Sequence, residues 1–227
     1  VGHHAHQLEL FGYPADDPFR VTLHPDRLEQ PLRWRKPRRV FVCSMSDLFH
    51  KAVPHHFLVD VWRTMAGAPQ HTFQILTKRP ERMRNVLGTF ASVFGVLPNV
   101  WVGTSAENQE EAYERMLFLL QAPAAVRFVS AEPLLGPIDL VHSVNELHRL
   151  DLASMEPGGV NWVIVGCESG PRRRIDPHWW DWARNIKDQC IESGIPFFLK
   201  QGPDASGNVV KMPELDGRVW DQMPEAK

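Results

Sequence analysis

A short apolar run recurs roughly every thirty residues along this chain, and no other feature constrains its fold as much. The runs are Val40-Phe41-Val42-Cys43, Thr72-Phe73-Gln74-Ile75-Leu76-Thr77, Val100-Trp101-Val102-Gly103, Val126-Arg127-Phe128-Val129, Trp162-Val163-Ile164-Val165-Gly166 and Pro196-Phe197-Phe198-Leu199. Each is short, rich in Val, Ile and Phe, and mostly apolar on both faces. Strands of a parallel sheet read this way because helices cover them, whereas a strand with one wet face alternates.

Helix signals fill most of the gaps. Pro54 stands at a first turn, with Phe57, Leu58, Val61, Trp62 and Met65 following at helical spacing. Thr104 and Glu107 have the spacing of a capping box for a helix running to about Gln121. Asp176-Pro177 opens another helix and Gly194 closes it, with Trp179, Ala183, Ile186 and Cys190 as the buried stripe. Ile138 to Gly159 reads as a long loop with a short helix.

Strands alternating with helices predict an α/β fold: right-handed βαβ units and one parallel sheet of about six strands. Two architectures satisfy that pattern. One is a partial (β/α) barrel, since a full eightfold barrel typically needs ~250 residues; the other is an open doubly wound sheet. Residues 1–39 form an irregular N-terminal arm, 40–202 the partial-barrel domain, and 203–227 a C-terminal extension packed on it. In either architecture ligands bind beyond the carboxyl ends of the strands.

Composition narrows the function classes. Of 227 residues 43% are hydrophobic and 23% charged, which excludes disordered and collagen-like chains. A net charge of -2 argues against a uniformly basic polyanion-coating protein. No apolar run approaches the ~20 residues of a membrane span, and Val1 to His6 is not the start of a secretory signal. Cys43, Cys167 and Cys190 are too few and too scattered for a disulfide framework, so the expected compartment is a reducing cytoplasm.

Polar groups follow every apolar run. They are Ser44-Met45-Ser46-Asp47, Lys78-Arg79-Pro80-Glu81, Thr104-Ser105-Ala106-Glu107, Ser130-Ala131-Glu132-Pro133, Cys167-Glu168-Ser169-Gly170 and Lys200-Gln201-Gly202. A parallel sheet brings all of them to one rim, where the expectation is a common pocket holding Asp47, Lys78, Glu132 and Glu168. Glu132, before a proline, and Glu168, between glycines, can each bind a ligand amine or move a proton. The alternative for both is an ion pair with Lys78, Lys200 or Arg172 in the same mouth. Lys78, Arg79, Arg172 and Lys200 can hold phosphate or carboxylate groups.

The run Arg33-Trp34-Arg35-Lys36-Pro37-Arg38-Arg39 is denser in charge but precedes a strand, so it is expected at the opposite end unless the arm wraps back; it reads equally as a nucleic-acid patch or as a solvated charge run. No Cys-x-x-Cys pair, phosphate loop or nucleophile elbow is present, and no metal site is expected. His3, His4 and His6 form a short tract that reads as a disordered terminus, with adventitious metal binding as the alternative; Asp47 with His50, and His55 with His56, have no third partner at a recognised spacing.

Several of these strings carry a resemblance. Ser44 to His50, Gln70 to Arg82, Trp101 to Ser105, Ser130 to Gly136, Cys167 to Pro171 and Leu215 to Trp220 resemble one phage- and prophage-borne family of unknown function. The likeness runs from about Val21 to Pro224, and the family is similar to divergent radical S-adenosylmethionine (SAM) enzymes. It implies a partial barrel of radical SAM type, with SAM and a [4Fe-4S] cluster as cofactors; the rim Lys and Arg residues, together with the phage association, point to a nucleic acid or nucleotide as substrate. By the same resemblance Ser46, Asp47, Thr104, Ser105, Glu132 and Glu168 contact SAM, and Lys78, Arg79 and Arg172 face the substrate. From their place on the rim, Glu132 and Glu168 are the candidate catalytic residues, and Lys200 joins the substrate-facing cations.

The cysteine cluster that opens fuller family members is not in this sequence, whose first residue is Val1. The chain is therefore expected either to have lost an upstream segment or to be a variant without the chemistry. Cys43 stands where the family pattern has Asn, and Cys167 where it has a second Gly. The competing function is a non-catalytic nucleic-acid-binding barrel using Arg33 to Arg39 and Arg172 to Arg174.

Overall fold

All six apolar runs are strands, and they lie in the sheet in the order in which they occur in the chain. The computed structural model describes residue 17, residues 20–140 and residues 159–225. After two 3-10 turns at Pro25–Arg27 and Gln30–Arg33, the main elements follow. They are β1 Arg39–Val42, α1 His55–Ala66, β2 Thr72–Thr77, α2 Pro80–Phe94, β3 Val100–Ser105, α3 Gln109–Gln121 and β4 Val126–Ala131. Beyond the undescribed stretch 141–158 come β5 Trp162–Gly166, α4 Trp179–Glu192 and β6 Phe197–Pro203. Then come β7 Val209–Lys211 and the small hairpin of β8 Glu214–Leu215 and β9 Arg218–Val219.

The sheet order β1-β2-β3-β4-β5-β6-β7 decides between the two architectures. Strands β1 to β6 are parallel neighbours throughout, and only β7 joins antiparallel. A doubly wound sheet reverses its order at a switch point and so carries helices on both faces. Right-handed crossovers that always step to the next strand leave every helix on one face. The result is a curled half barrel, convex toward its helices and concave on the other side, and the open-sheet alternative is excluded.

Side-chain alternation sorts the two faces. Phe73 and Ile75, Val100 and Val102, Val129 and Ala131, Val163 and Val165, and Phe197 and Leu199 point to the helices and form the main core. The concave residues are a second, aromatic-rich layer of Trp101, Val126, Phe128, Trp162 and Ile164, with Leu76, Phe198 and Met223 against it. Trp162 meets Trp101 and Phe198 edge-on, each at 6.0 Å, and Phe128 at a tilt at 5.6 Å. Gly103 pairs with Leu76 and Phe128 in this layer. A Cβ on it would sit 2.5 Å from the Phe128 ring, so only glycine lets that ring lie across the sheet.

The last residues cross the amino end of this face. Trp162 Nε1 donates to Gln222 O at 2.9 Å, Phe197 N to Gln222 Oε1 at 3.0 Å, and Phe198 bridges Asp221.

Helix starts differ from the sequence-based expectation: α1 begins at His55 with Pro54 as its N-cap, and α4 begins at Trp179 with His178 as its N-cap, two residues beyond Asp176-Pro177. Thr104 is inside β3, and the cap belongs to Asn108, whose side chain accepts from Glu111 N at 3.1 Å. The strand extends through Ser105, which carries the chain four residues further before it can turn. The α2 helix had no assigned start, although Pro80 at its first turn and Met83, Val86, Leu87 and Phe90 at helical spacing mark it. The expected loop from Ile138 to Gly159 falls mostly outside the described residues, as do His3, His4 and His6.

Candidate functional site

The carboxyl ends of β1, β2 and β3 frame a cavity of about 660 Å³. Its polar walls are Ser44, Ser46, Asp47, Lys78, Arg79 and Ser105. The loop after β1 is held from below: Arg82 of α2 donates to the carbonyls of Phe49, His50 and Val53, at 2.6 Å for the last. Asp47 is the anchor on the cavity side. It accepts from Phe49 N at 2.9 Å, from Thr77 Oγ1 at 2.8 and 2.9 Å, from Lys78 N at 3.2 Å and from Arg79 Nη1 at 2.6 Å. With so many donors on two oxygens, Asp47 shapes the mouth more than it offers a free carboxylate.

Lys78 reaches the next strand, where its Nζ pairs with Glu107. Arg115 Nη1 binds the other oxygen of Glu107 at 2.8 Å and its Nη2 binds Glu111 at 2.8 Å. Glu107 is 5% exposed. Burial pushes its pKa up, but hydrogen bonds from Glu111 and Lys78 and the charges of Lys78 and Arg115 outweigh that and hold it at about 2. Glu107 is thus the buried ionic hub of the rim. The sequence places Glu107 on the rim and in a capping-box spacing; the signal for its ionic role is a carboxylate at a strand end with Arg115 two helical turns on.

Glu132 and Lys200 stand across the mouth, paired at 2.8 and 3.0 Å, with the Glu132–Pro133 peptide cis. Gly166 makes room for that pair, since a Cβ there would approach Glu132 Cγ and Cδ to 3.0 Å. They line a second cavity that meets the first at Phe41 and Leu76. Glu168 lines neither. It accepts from Arg174 N at 2.6 Å, Arg174 Nη2 at 2.7 Å and Arg174 Nε at 3.0 Å. Those bonds hold its pKa at about 2. Arg172, two residues away, is exposed.

The single pocket expected for Asp47, Lys78, Glu132 and Glu168 is therefore two adjoining cavities plus a separate ion pair. Parallel strands deliver residues to one rim, but a curled sheet spreads that rim along an arc. Thr104 is not in the mouth at all: it is fully buried toward the helices, donating to Thr77 O at 3.0 Å.

The two basic clusters lie at opposite ends. Trp34 and Arg38 pack beside His71, which precedes β2, with Arg38 over the Trp34 ring at 4.7 Å. Arg172 to Arg174 follow β5, where Arg173 donates to Gly207 O and Arg174 holds Glu168. No shared basic surface joins them.

The three cysteines are free. Cys43 follows β1, Cys167 follows β5 with β2, β3 and β4 between, and Cys190 is buried in α4, where burial pushes its thiol up to about 12. That arrangement does not fit the three thiolate ligands of an iron–sulfur cluster, and among the described residues no group of His, Cys, Asp or Glu is placed to hold a metal.

Cys43 has φ 59, in the left-handed region that disfavours a side chain but tolerates Asn. An Asn side chain suits that backbone. Cys43→Asn is expected to raise the stability by about 0.5–1 kcal/mol, read as a higher urea midpoint; a lower midpoint refutes the strain account.

Among the described residues no helix is long and apolar enough to cross a membrane. No curated protein and no solved structure matches the chain. A protein-family profile matches residues 3–224, nearly the whole length, and the chain therefore belongs to that family, described as a protein of unknown function (DUF5131).

Proposed function

We propose that the mouth of the half barrel binds S-adenosylmethionine, and that the chain is a radical SAM-like protein acting on a nucleic acid or nucleotide. The observation that carries this reading is the cavity in which Ser46, Asp47, Lys78, Arg79 and Ser105 meet from three successive strand ends. SAM carries an α-carboxylate, an ammonium, a sulfonium and ribose hydroxyls, so it needs both signs of charge and several hydroxyl partners within one cleft. Arg79, whose Nη1 is held by Asp47 at 2.6 Å, turns its remaining N–H groups to the carboxylate, Asp47 fixes that guanidinium in place, and Ser46 and Ser105 are the hydroxyl partners. Lys78, Lys200 and Arg172 on the same rim suit a phosphate-bearing substrate.

In the enzymes this chain resembles, an iron–sulfur cluster supplies the electron that cleaves SAM. The described cysteines do not fit such a cluster; the residues of the mouth hold the methionine end and screen it from water under the loop after β1.

Titration of SAM into the purified chain by calorimetry tests the reading. Saturable 1:1 binding is expected, weakened about tenfold or more by Arg79→Met, since a charge-assisted hydrogen bond contributes about 1.5–3 kcal/mol. The fold of that variant stays intact because the Arg79–Asp47 pair is partly exposed, with Arg79 42% accessible. No heat of binding at millimolar SAM, or identical affinity in the variant, refutes it.

A further inference from the structure

The second cavity, below the mouth on the concave face, contains an unsatisfied buried group. Gln74 is 9% exposed, lines this cavity, and its Nε2 has no hydrogen-bond partner among the described residues. A buried amide N–H left unmatched costs about 1–3 kcal/mol, so a strand that carries one at its centre is tolerating a penalty. Its register neighbours are Phe41 and Trp101, both apolar.

The surroundings define what would complete it. The cavity measures about 530 Å³, within the range of small-molecule sites. Phe41, Leu76, Ile164 and Phe198 form apolar walls, with the Phe41 ring still 44% exposed. Ser130 adds a hydroxyl, and the Glu132–Lys200 pair closes the carboxyl end. Trp162 contributes only its ring, because its N–H is already bound to Gln222 O. An aliphatic ligand would fill the walls and leave Gln74 unmatched; a sugar would match Gln74 and waste the rings.

We infer that this cavity binds a nucleobase, a flat heteroaromatic ring that stacks on Phe41 and offers a donor–acceptor edge to the Gln74 amide. A primary carboxamide donates and accepts side by side, which is the pattern with which Gln reads a base edge, and aromatic side chains are the usual stacking partners of an unpaired base. The site is independent of SAM in the mouth: SAM binding can fail while this site holds, and the reverse.

The test is calorimetric titration of the intact chain with adenosine, guanosine, cytidine and uridine, each alone. At least one is expected to saturate with a Kd below about 1 mM. Gln74→Leu should weaken that nucleoside at least tenfold, while melting at or above the parent temperature because it removes the unmatched amide. Phe41→Ala, at a half-exposed position that does not threaten folding, should weaken it as well.

A single-stranded oligonucleotide of the preferred base separates the two sources of the same ring. Tighter binding than the nucleoside assigns the site to a base within a strand, equal or weaker binding to a free nucleoside, and both support the site. Absence of binding by all four nucleosides, unchanged affinity in Gln74→Leu, or displacement of the nucleoside by SAM each overturns it.

Discussion

Gly103→Val is expected to destabilise the half barrel by more than about 3 kcal/mol, the upper end of what overpacking costs. The reason is local and geometric. Even one added carbon at Gly103 falls 2.5 to 2.6 Å from three atoms of the Phe128 ring, and Phe128 is itself fully buried. That ring cannot retreat, because Trp162 packs against it at 5.6 Å and is fixed in turn by the hydrogen bond to Gln222. A domain of this kind has about 5–15 kcal/mol in hand, so the substitution removes a large fraction of it. Urea unfolding of the parent and variant measures the loss. Trimming the ring, as Phe128→Leu in the Gly103→Val background, should recover part of it, a coupling that a double-mutant cycle reads directly. A Gly103→Val protein within 1 kcal/mol of the parent would show that the concave layer is loosely packed.

Acid should unfold the protein chiefly through Glu107. Its folded pKa, about 2, lies below the ordinary 4.5. A carboxyl depressed on folding stabilises the protein above its unfolded pKa, and that contribution disappears as pH falls through the folded one. The window is therefore from about 4.5 down to about 2, and the loss is at most about 3 kcal/mol. Glu111 opposes it, because hydrogen bonding to Glu107 and burial raise its pKa.

Glu107→Gln should cost about 3 kcal/mol at neutral pH by leaving Lys78 and Arg115 without their shared buried carboxylate. It should also flatten the acid limb of the stability profile. Urea midpoints at several pH values between 7 and 2.5 test both. An unchanged acid slope in the variant would place the titration elsewhere. Glu168, whose pKa is depressed to a similar degree, is exposed to solvent screening at its Arg174 pair and contributes less.

How the rim side chains pair is where local sequence reasoning stopped. Glu132 was legible as an ion-pair partner of Lys200, and the structure has that pair. Glu168 had three candidate partners and took a fourth, Arg174, because the turn after Gly170 folds the chain back on itself. Asp47 was visible as a strand-end acid, but its saturation by Thr77 and Arg79 depends on a neighbouring strand thirty residues away. Gln74 was printed in plain view, a polar residue within an apolar strand run. Its importance emerged only when the sheet put Phe41 on one side of it and Trp101 on the other.

By itself, the amino-acid sequence determined the six strands, most of the helices and the rim on which the polar groups fall. Each of those follows from local periodicity, caps and strand ends, which a chain carries wherever it folds. Tertiary structure alone decided that the strands lie in consecutive order, so the sheet curls into a half barrel with one face left free of helices. The same curl split the expected pocket into two cavities and set Glu168 apart. Strand order and curvature come from which long-range neighbours pack best, and no window of a few residues encodes that choice.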